Sequence, residues 1–171
     1  MPHVQSFAPL ADCRARVLVL GSMPSEASLR AGEYYAHPRN AFWPIMGQLL
    51  GFDPGVTYSE RVRQLTFGGI AVWDVLATCH RSGSLDSDID DASITVNDFA
   101  GFFRDQPLVS AVFFNGAKAE SCFRKGVQSH LPVLDLTFQR LPSTSPANAA
   151  MSLEKKLQAW EVICRDLPSP S

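Results

Sequence analysis

Four short apolar runs, each bounded by polar or turn residues, divide the chain. They are RVLVLG, GIAVWDV, VSAVFFNG and VLDLTF, at residues 16–21, 69–75, 109–116 and 133–138. Apolar runs of about four to eight residues are typical of strands that are buried on both faces of a parallel sheet. The pattern therefore predicts four strands of such a sheet.

Helical patterns fill the stretches between these runs. Ser25 and Asn97 stand where residues cap short helices, and the second helix carries Phe99, Phe102 and Phe103. Asn40 stands at or just before a longer helix with an apolar face of Phe42, Ile45, Met46, Leu49 and Leu50. Residues 59–68 and 117–127 also indicate helices, and a final helix places on one face Leu153, Leu157, Trp160, Ile163 and Cys164.

Strands that alternate with helices predict a three-layer α/β/α fold with a central, mostly parallel, four-stranded sheet. No internal repeat, linker or low-complexity block interrupts the pattern. We therefore expect one domain over residues 1–171, with residues 1–12 and 167–171 at its periphery.

Composition and charge narrow the classes of protein. Apolar residues make up 46% and charged residues 19% of the 171, as in globular domains. A net charge of -2 argues against non-specific binding of nucleic acid, but it allows a few phosphates to be held by backbone N–H groups. The sequence shows no membrane span and no signal peptide, so we expect a cytoplasmic protein with no membrane partner. One small compact domain suggests a monomer. The acidic stretch at residues 84–91 is expected to be a solvated loop.

The cysteines give no sign of a metal centre. The four lie far apart, with no CxxC or CxxH pair, whereas zinc and iron–sulfur sites usually contain a close pair. We expect reduced thiols, no metal and no cofactor.

Polar and aromatic residues concentrate in four segments that follow the predicted strands. These segments are residues 21–40, 73–81, 113–118 and 141–148. In open parallel sheets, ligands bind beyond the carboxyl ends of the strands, so the segments are expected to meet there. Their Ser, Asn, His and Asp residues, next to aromatic rings, suit a neutral pocket for a planar heterocycle. No GxGxxG, GxxxxGK[ST], GxSxG or HExxH motif signals a different chemistry.

Four motifs together resemble the uracil-DNA glycosylase superfamily, and most closely its hypoxanthine-DNA glycosylase branch. They are GSMPS, YYAHPRNAFW, a strand ending in FNG, and LPSTSPAN, in that order, from about Val17 to the final helix. The resemblance implies an enzyme that flips a deaminated base out of DNA and hydrolyses its glycosidic bond.

The resemblance also implies roles for individual residues. Asn40 would position the attacking water, with His37 as a second catalytic candidate. The base would be bound by Tyr35 or Phe42 through stacking and by Asn115 and Asp74 through hydrogen bonds. Met23 is also implied among the residues that bind the base. The residues implied in DNA binding are Ser22, Ser25, Arg39, Ser143, Thr144, Ser145 and Asn148.

Two departures from the uracil branches bear on the substrate. Met23 replaces the asparagine that serves the water in those branches, and Leu141 replaces a polar residue. Both replacements argue against uracil, although a mismatch-specific uracil or thymine glycosylase stays an alternative. So does a non-catalytic α/β module that binds nucleotides or nucleic acid. Simple structural roles also stay open: Asn40 and Asp74 as caps, and Asn115 as a turn residue.

Overall fold

The structure, a computed structural model, describes residues 2–132 and 134–169. Its strands are β1 (His3–Gln5), β2 (Val17–Gly21), β3 (Ile70–Asp74), β4 (Leu76–His80), β5 (Thr95–Val96), β6 (Ala111–Asn115) and β7 (Thr137–Leu141). Its α-helices are α1 (Glu26–Ala31), α2 (Phe42–Leu50), α3 (Tyr58–Phe67), α4 (Phe99–Asp105), α5 (Ala117–Gly126) and α6 (Leu153–Trp160).

The central sheet has four parallel strands in the order β3-β2-β6-β7. The predicted three-layer fold is confirmed, because alternate residues of each inner strand face opposite helical layers. In β2, Leu18 and Leu20 face a core formed with α4 and α5, whereas Val17 and Val19 face a core formed with α2, α3 and α6. This period of two is what strands buried on both faces require.

The first three strand predictions are confirmed, and the fourth is wrong in position. The apolar run at 133–138 predicted a strand there, but β7 covers Thr137–Leu141, and residue 133 lies outside the described part of the chain. The strand lies at the edge of the sheet and pairs only with β6. An edge strand has one solvated side, so it accepts Gln139 and Arg140, which the apolar pattern excluded.

A second, antiparallel sheet in the order β1-β4-β5 was not predicted. No apolar run predicted a strand directly after β3, but Leu76–His80 forms β4 and pairs with the N-terminal strand β1. The N-terminal segment is further joined to the central sheet, since Leu10 bridges Val72 and Trp73 Nε1 donates to the Phe7 carbonyl.

The helix ends follow the predicted capping in part. Ser25 caps α1, as expected, by accepting a hydrogen bond from the Ser28 backbone N–H. Asp98, and not Asn97, caps α4, because the Asn97 amide donates to the carbonyls of Asp74 and Leu76 instead. No helix among the described residues is long and apolar enough to cross a membrane.

The last helix keeps only part of its predicted apolar face. The helix α6 ends at Trp160 and continues as a 3₁₀ turn over Glu161–Asp166, so the spacing changes. Trp160 and Ile163 are fully buried, whereas Leu153 is 54% exposed and Cys164 is also exposed. The Trp160 indole N–H donates to the Pro142 carbonyl at 2.9 Å, which fastens the helix to the loop after β7.

We predict that Trp160→Ala lowers the free energy of unfolding by about 3 to 5 kcal/mol, because a large side chain leaves the core. Trp160→Phe keeps most of the apolar area and loses the bond to Pro142, so it costs less. Leu153→Ala, on the same helix, is the control and should change stability by less than about 0.5 kcal/mol. Urea unfolding measures all three, and equal losses for Trp160→Ala and Leu153→Ala would contradict the packing described.

Candidate functional site

A cleft of about 760 Å³ opens at the carboxyl edge of the central sheet. The last residue of every central strand lines it: Gly21 of β2, Asp74 of β3, Asn115 of β6 and Leu141 of β7. The cleft therefore lies where a parallel sheet is expected to bind its ligand.

Most residues predicted for the site line this cleft. They are Ser22, Met23, Ser25, Tyr35, Asn40, Asp74, Asn115, Ser143, Thr144, Ser145 and Asn148. Three predicted residues, His37, Arg39 and Phe42, are not among its lining residues.

Phe42 supports the cleft from behind. Its side chain is fully buried, and its ring stacks on the Tyr35 ring with centroids 4.1 Å apart. The expectation that Phe42 stacks on a ligand therefore needs correction, because helix α2 turns this side chain into the core. Of the two rings, Tyr35 is the one that lines the cleft.

Tyr35 has an unusual backbone and an unsatisfied hydroxyl. Its φ of 56° lies in the left-handed region, which a non-glycine residue occupies at an energetic cost. The hydroxyl is buried close to the Asn115 amide but forms no hydrogen bond of good geometry. Burial, with the nearby Asp74 carboxyl, raises the pKa of Tyr35, so its hydroxyl keeps its proton.

Asp74 is a buried carboxyl at the floor of the cleft. It is 3% exposed, and its Oδ2 atom has no hydrogen-bond partner among the described residues. Burial, together with the negative charge of Asp86 and against the opposing Arg81 guanidinium, raises the pKa of Asp74 to about 7. The carboxyl is therefore neutral in a large share of molecules at physiological pH.

Gly21 allows Asp74 and Tyr35 to come this close to strand β2. A Cβ atom at this position would lie 2.5 Å from Asp74 Oδ1 and 3.1 Å from the Tyr35 hydroxyl oxygen. Any side chain here would displace the carboxyl. The glycine at the end of the first predicted strand was thus a signal of a close approach and not only of a turn.

Asn115 holds the loop after β7 in place. Its Nδ2 donates to Thr144 Oγ1, and its Oδ1 accepts from the Thr144 backbone N–H, both at 2.9 Å. Thr144 is 1% exposed, so the expectation that it binds DNA needs correction. The Thr144 carbonyl in turn accepts a hydrogen bond from the Ala41 N–H, next to Asn40.

Asn40 acts as a turn residue at the start of α2 and also lines the cleft. Its Oδ1 accepts a hydrogen bond from the Phe42 N–H at 2.9 Å, and its own N–H donates to the His37 carbonyl. Its Nδ2 donates no hydrogen bond to any described residue. His37 Nδ1 accepts from the Arg39 N–H, a bond that keeps the turn closed.

The acidic loop, which we define as residues 84–87, forms a wall that sequence reasoning missed. Ser22 Oγ donates to Asp86 Oδ1 at 2.5 Å, and Ser84 Oγ accepts from the Glu26 N–H at 2.9 Å. The loop was expected to be solvated only, but all its residues line the cleft. Below it, the fully buried Arg81 donates from Nη2 to the Pro24 carbonyl.

The loop after β7 is shaped by its own polar side chains. Ser143 Oγ accepts from the Ser145 N–H, and Ser145 Oγ accepts from the Ala147 N–H, each at 3.1 Å. Asn148 Nδ2 donates to the Ser143 carbonyl at 3.0 Å. The loop therefore presents fixed hydroxyl groups to the mouth of the cleft.

A metal site is not formed by the described residues, which contain no group of three or more His, Cys, Asp or Glu side chains suited to hold an ion.

Comparison with known proteins gives consistent matches along nearly the whole chain. A model of the uracil DNA glycosylase superfamily matches residues 8–167. A hypoxanthine DNA glycosylase of Methanosarcina acetivorans is 33% identical over 162 residues, which cover 94% of this chain and 98% of that protein. Its counterpart in Methanosarcina barkeri is 36% identical over 157 residues, 91% of this chain and 94% of that protein.

The fold is also similar to a solved structure. A candidate uracil DNA glycosylase of Methanosarcina acetivorans, determined by solution NMR, superposes with a TM-score of 0.80 at 31% identity. The match covers 96% of this chain and 98% of that one.

We predict that Asp74→Asn changes how stability depends on pH. The folded protein binds the Asp74 proton more tightly than the unfolded chain, whose aspartate titrates near 3.8. The wild-type protein therefore loses stability as pH rises from about 4 to about 7, by on the order of 1 kcal/mol per pH unit. Asn cannot ionise, so the free energy of unfolding of the variant rises relative to that of the wild type as pH increases from about 4 to about 7.

Urea unfolding at pH 4.5 and pH 8 measures the difference. The exposed Asp105, outside the cleft, supplies the control variant Asp105→Asn. A stability difference between wild type and Asp74→Asn that stays constant with pH would contradict the raised pKa.

Proposed function

The chain belongs to the uracil DNA glycosylase superfamily, and from this membership and the cleft we propose that it excises hypoxanthine from DNA. Hypoxanthine is the deaminated form of adenine. The enzyme rotates the damaged nucleotide out of the duplex and hydrolyses its N-glycosidic bond. The reaction needs a pocket for a planar base, a positioned water and contacts to the phosphates.

The observation that carries the proposal is that Asn40, Tyr35 and Asp74 line one cleft. The three supply an amide to orient water, a tyrosine with a buried hydroxyl to contact the base and a buried carboxyl to contact the base edge. Neutral hydrogen-bonding groups of this kind suit a heterocycle better than they suit a bare anion.

Asn40 is the proposed holder of the attacking water. The bond from the Phe42 N–H fixes the amide, which leaves Nδ2 and one lone pair of Oδ1 for a water molecule near the sugar C1′. An amide is a weak base, so orientation is its contribution, and the barrier must fall mainly through stabilisation of the departing base.

The substrate preference is supported by two apolar residues. Met23 follows Ser22 in the turn after β2, and Leu141 ends β7, and both line the cleft while being less than 10% exposed. Neither side chain donates or accepts a strong hydrogen bond, so neither contacts the carbonyl groups of uracil as a polar residue would.

The contacts to DNA are proposed to come from the rim of the cleft. The hydroxyl groups of Ser143 and Ser145 lie on the shaped loop after β7. Arg39 is exposed, and Arg140 lines the cleft with 56% of its side chain exposed, so both can reach phosphates. A single chain supplies all of these groups, and we propose that the monomer is the active unit.

A panel of duplex oligonucleotides tests the proposal. Each duplex carries hypoxanthine, uracil, xanthine or no lesion, and alkali after incubation cleaves the strand wherever a base has been removed. We expect cleavage at hypoxanthine and much less at uracil. Cleavage at uracil alone would favour a uracil glycosylase, and binding without any cleavage would favour a non-catalytic module.

We predict that Asn40→Ala reduces single-turnover excision of hypoxanthine by about 100-fold or more, since one oriented polar group is lost. DNA affinity, measured by fluorescence anisotropy, should stay close to that of the wild type. Asn40→Ser is the matched variant, because its hydroxyl can still accept the Phe42 N–H and preserve the turn. Recovery of full activity in Asn40→Ser would mean that Asn40 acts only through the helix start.

We predict that Arg39→Gln and Arg140→Gln each weaken DNA binding at all sequences alike. In each variant, the slope of log affinity against log salt concentration should become less negative by about one, because one phosphate contact is lost. Arg63, which pairs with Glu60 on α3 and does not line the cleft, supplies the control variant Arg63→Gln. A slope that is unchanged in both the Arg39 and the Arg140 variant would contradict the proposed phosphate contacts at the rim.

A further inference from the structure

Two polar atoms at the floor of the cleft form no hydrogen bond of good geometry with any residue that the structure describes. They are Asp74 Oδ2 and the Tyr35 hydroxyl oxygen, and both are buried. A buried polar atom without a partner destabilises the folded protein. Of the neighbouring polar groups, the Asn115 amide oxygen and one of its N–H groups already bond to Thr144, and Ser22 bonds to Asp86. The unpaired atoms are therefore the ones left for the bound base.

We propose that Asp74, in its neutral form, is the general acid that protonates N7 of the departing purine, while the Tyr35 hydroxyl donates to O6. This role rests on the proposed excision of hypoxanthine. In the step, the Asp74 O–H bond breaks and an N7–H bond forms, while the C1′–N9 bond breaks with its electron pair moving to the base. Water bonds to C1′ and releases a proton to solvent, from which the Asp74 carboxylate is protonated again.

The charged and titratable groups around Asp74 are arranged to keep its proton available. Burial and Asp86, on the acidic loop, both raise the pKa of Asp74, and Arg81, at the end of β4, limits the rise. Tyr34 and Tyr35 face the carboxyl from the segment after α1, and Asp74 helps to raise the pKa of each, so both stay neutral. An acid is most effective when its pKa lies near the working pH, and about 7 meets that condition.

Acid assistance also explains a preference for a purine. The N7 atom of hypoxanthine is basic and lies in the same ring as N9, so protonation there weakens the bond to the sugar. Uracil has no ring nitrogen of this kind, and its carbonyl oxygens are weak bases. The proposed acid therefore accelerates the loss of hypoxanthine much more than the loss of uracil.

A pH profile of single-turnover excision tests whether Asp74 acts as an acid. The wild-type rate should fall tenfold per pH unit above about pH 7, where Asp74 loses its proton. Asp74→Asn should be about 100-fold slower at pH 6, and its rate should not fall at high pH. Asp86→Asn removes a negative charge that raises the pKa of Asp74, so the decline in rate should begin at a lower pH than in the wild type. The control variant Asp105→Asn should leave the pH of the decline unchanged.

A substrate lacking N7 identifies the atom that receives the proton. On DNA containing 7-deazahypoxanthine, the wild-type excision rate should fall close to the rate of Asp74→Asn on hypoxanthine. On this substrate, Asp74→Asn should be only slightly slower than the wild type. A full 100-fold cost of Asp74→Asn on both substrates would overturn the proposal, as would a wild-type profile without the high-pH decline.

The outcomes separate this role from the excision itself. A protein that removes no hypoxanthine would contradict the proposed function. If Asp74→Asn removes hypoxanthine as fast as the wild type, the proposed excision stands and only the role of Asp74 as an acid is contradicted. Urea unfolding of Asp74→Asn shows whether the variant is folded before its rate is interpreted.

Discussion

The two hydrogen bonds between Asn115 and Thr144 join the parts of the cleft that are distant in sequence. Asn115 ends β6, at the centre of the sheet, and Thr144 lies in the loop after the edge strand β7. The Thr144 carbonyl then binds the Ala41 N–H at the start of α2. A single buried threonine thus sets the position of the loop that borders the cleft and of the helix start that carries Asn40.

This arrangement shows why Asn115 is a poor candidate for recognising the base. Its amide oxygen and one of its N–H groups are already used within the protein, and their loss would release the loop. In our proposal, the base is instead recognised by Asp74 and Tyr35, each of which has a buried atom without a hydrogen-bond partner among the described residues. These two buried atoms and the strained Tyr35 backbone destabilise the protein at a place where a bound ligand would supply the missing contacts.

The sequence predicted most of the fold and the location of the site, because both depend on local patterns. Apolar runs gave β2, β3 and β6, and the motifs after the strands gave the cleft. The missed features depend on tertiary contacts. Strand β4 has too mixed a pattern to be recognised before β1 pairs with it, and β7 is polar because it lies at an edge. Likewise, no local signal shows that Phe42 is buried behind Tyr35, or that Thr144 is a buried partner of Asn115.

The acidic loop imposes two opposed effects on one surface. Its Asp86 repels phosphate, which weakens the general attraction to DNA in a protein whose net charge is already -2. The same charge helps to keep the proton on Asp74, and the bond from Ser22 holds it near the cleft. A lysine at this position would attract DNA more strongly, but it would lower the pKa of Asp74 and leave the carboxyl ionised. Under the proposed role of Asp74, affinity for the DNA backbone is therefore limited by the requirement for a neutral acid next to Asp86, and the proposed contacts at the rim supply the remaining attraction.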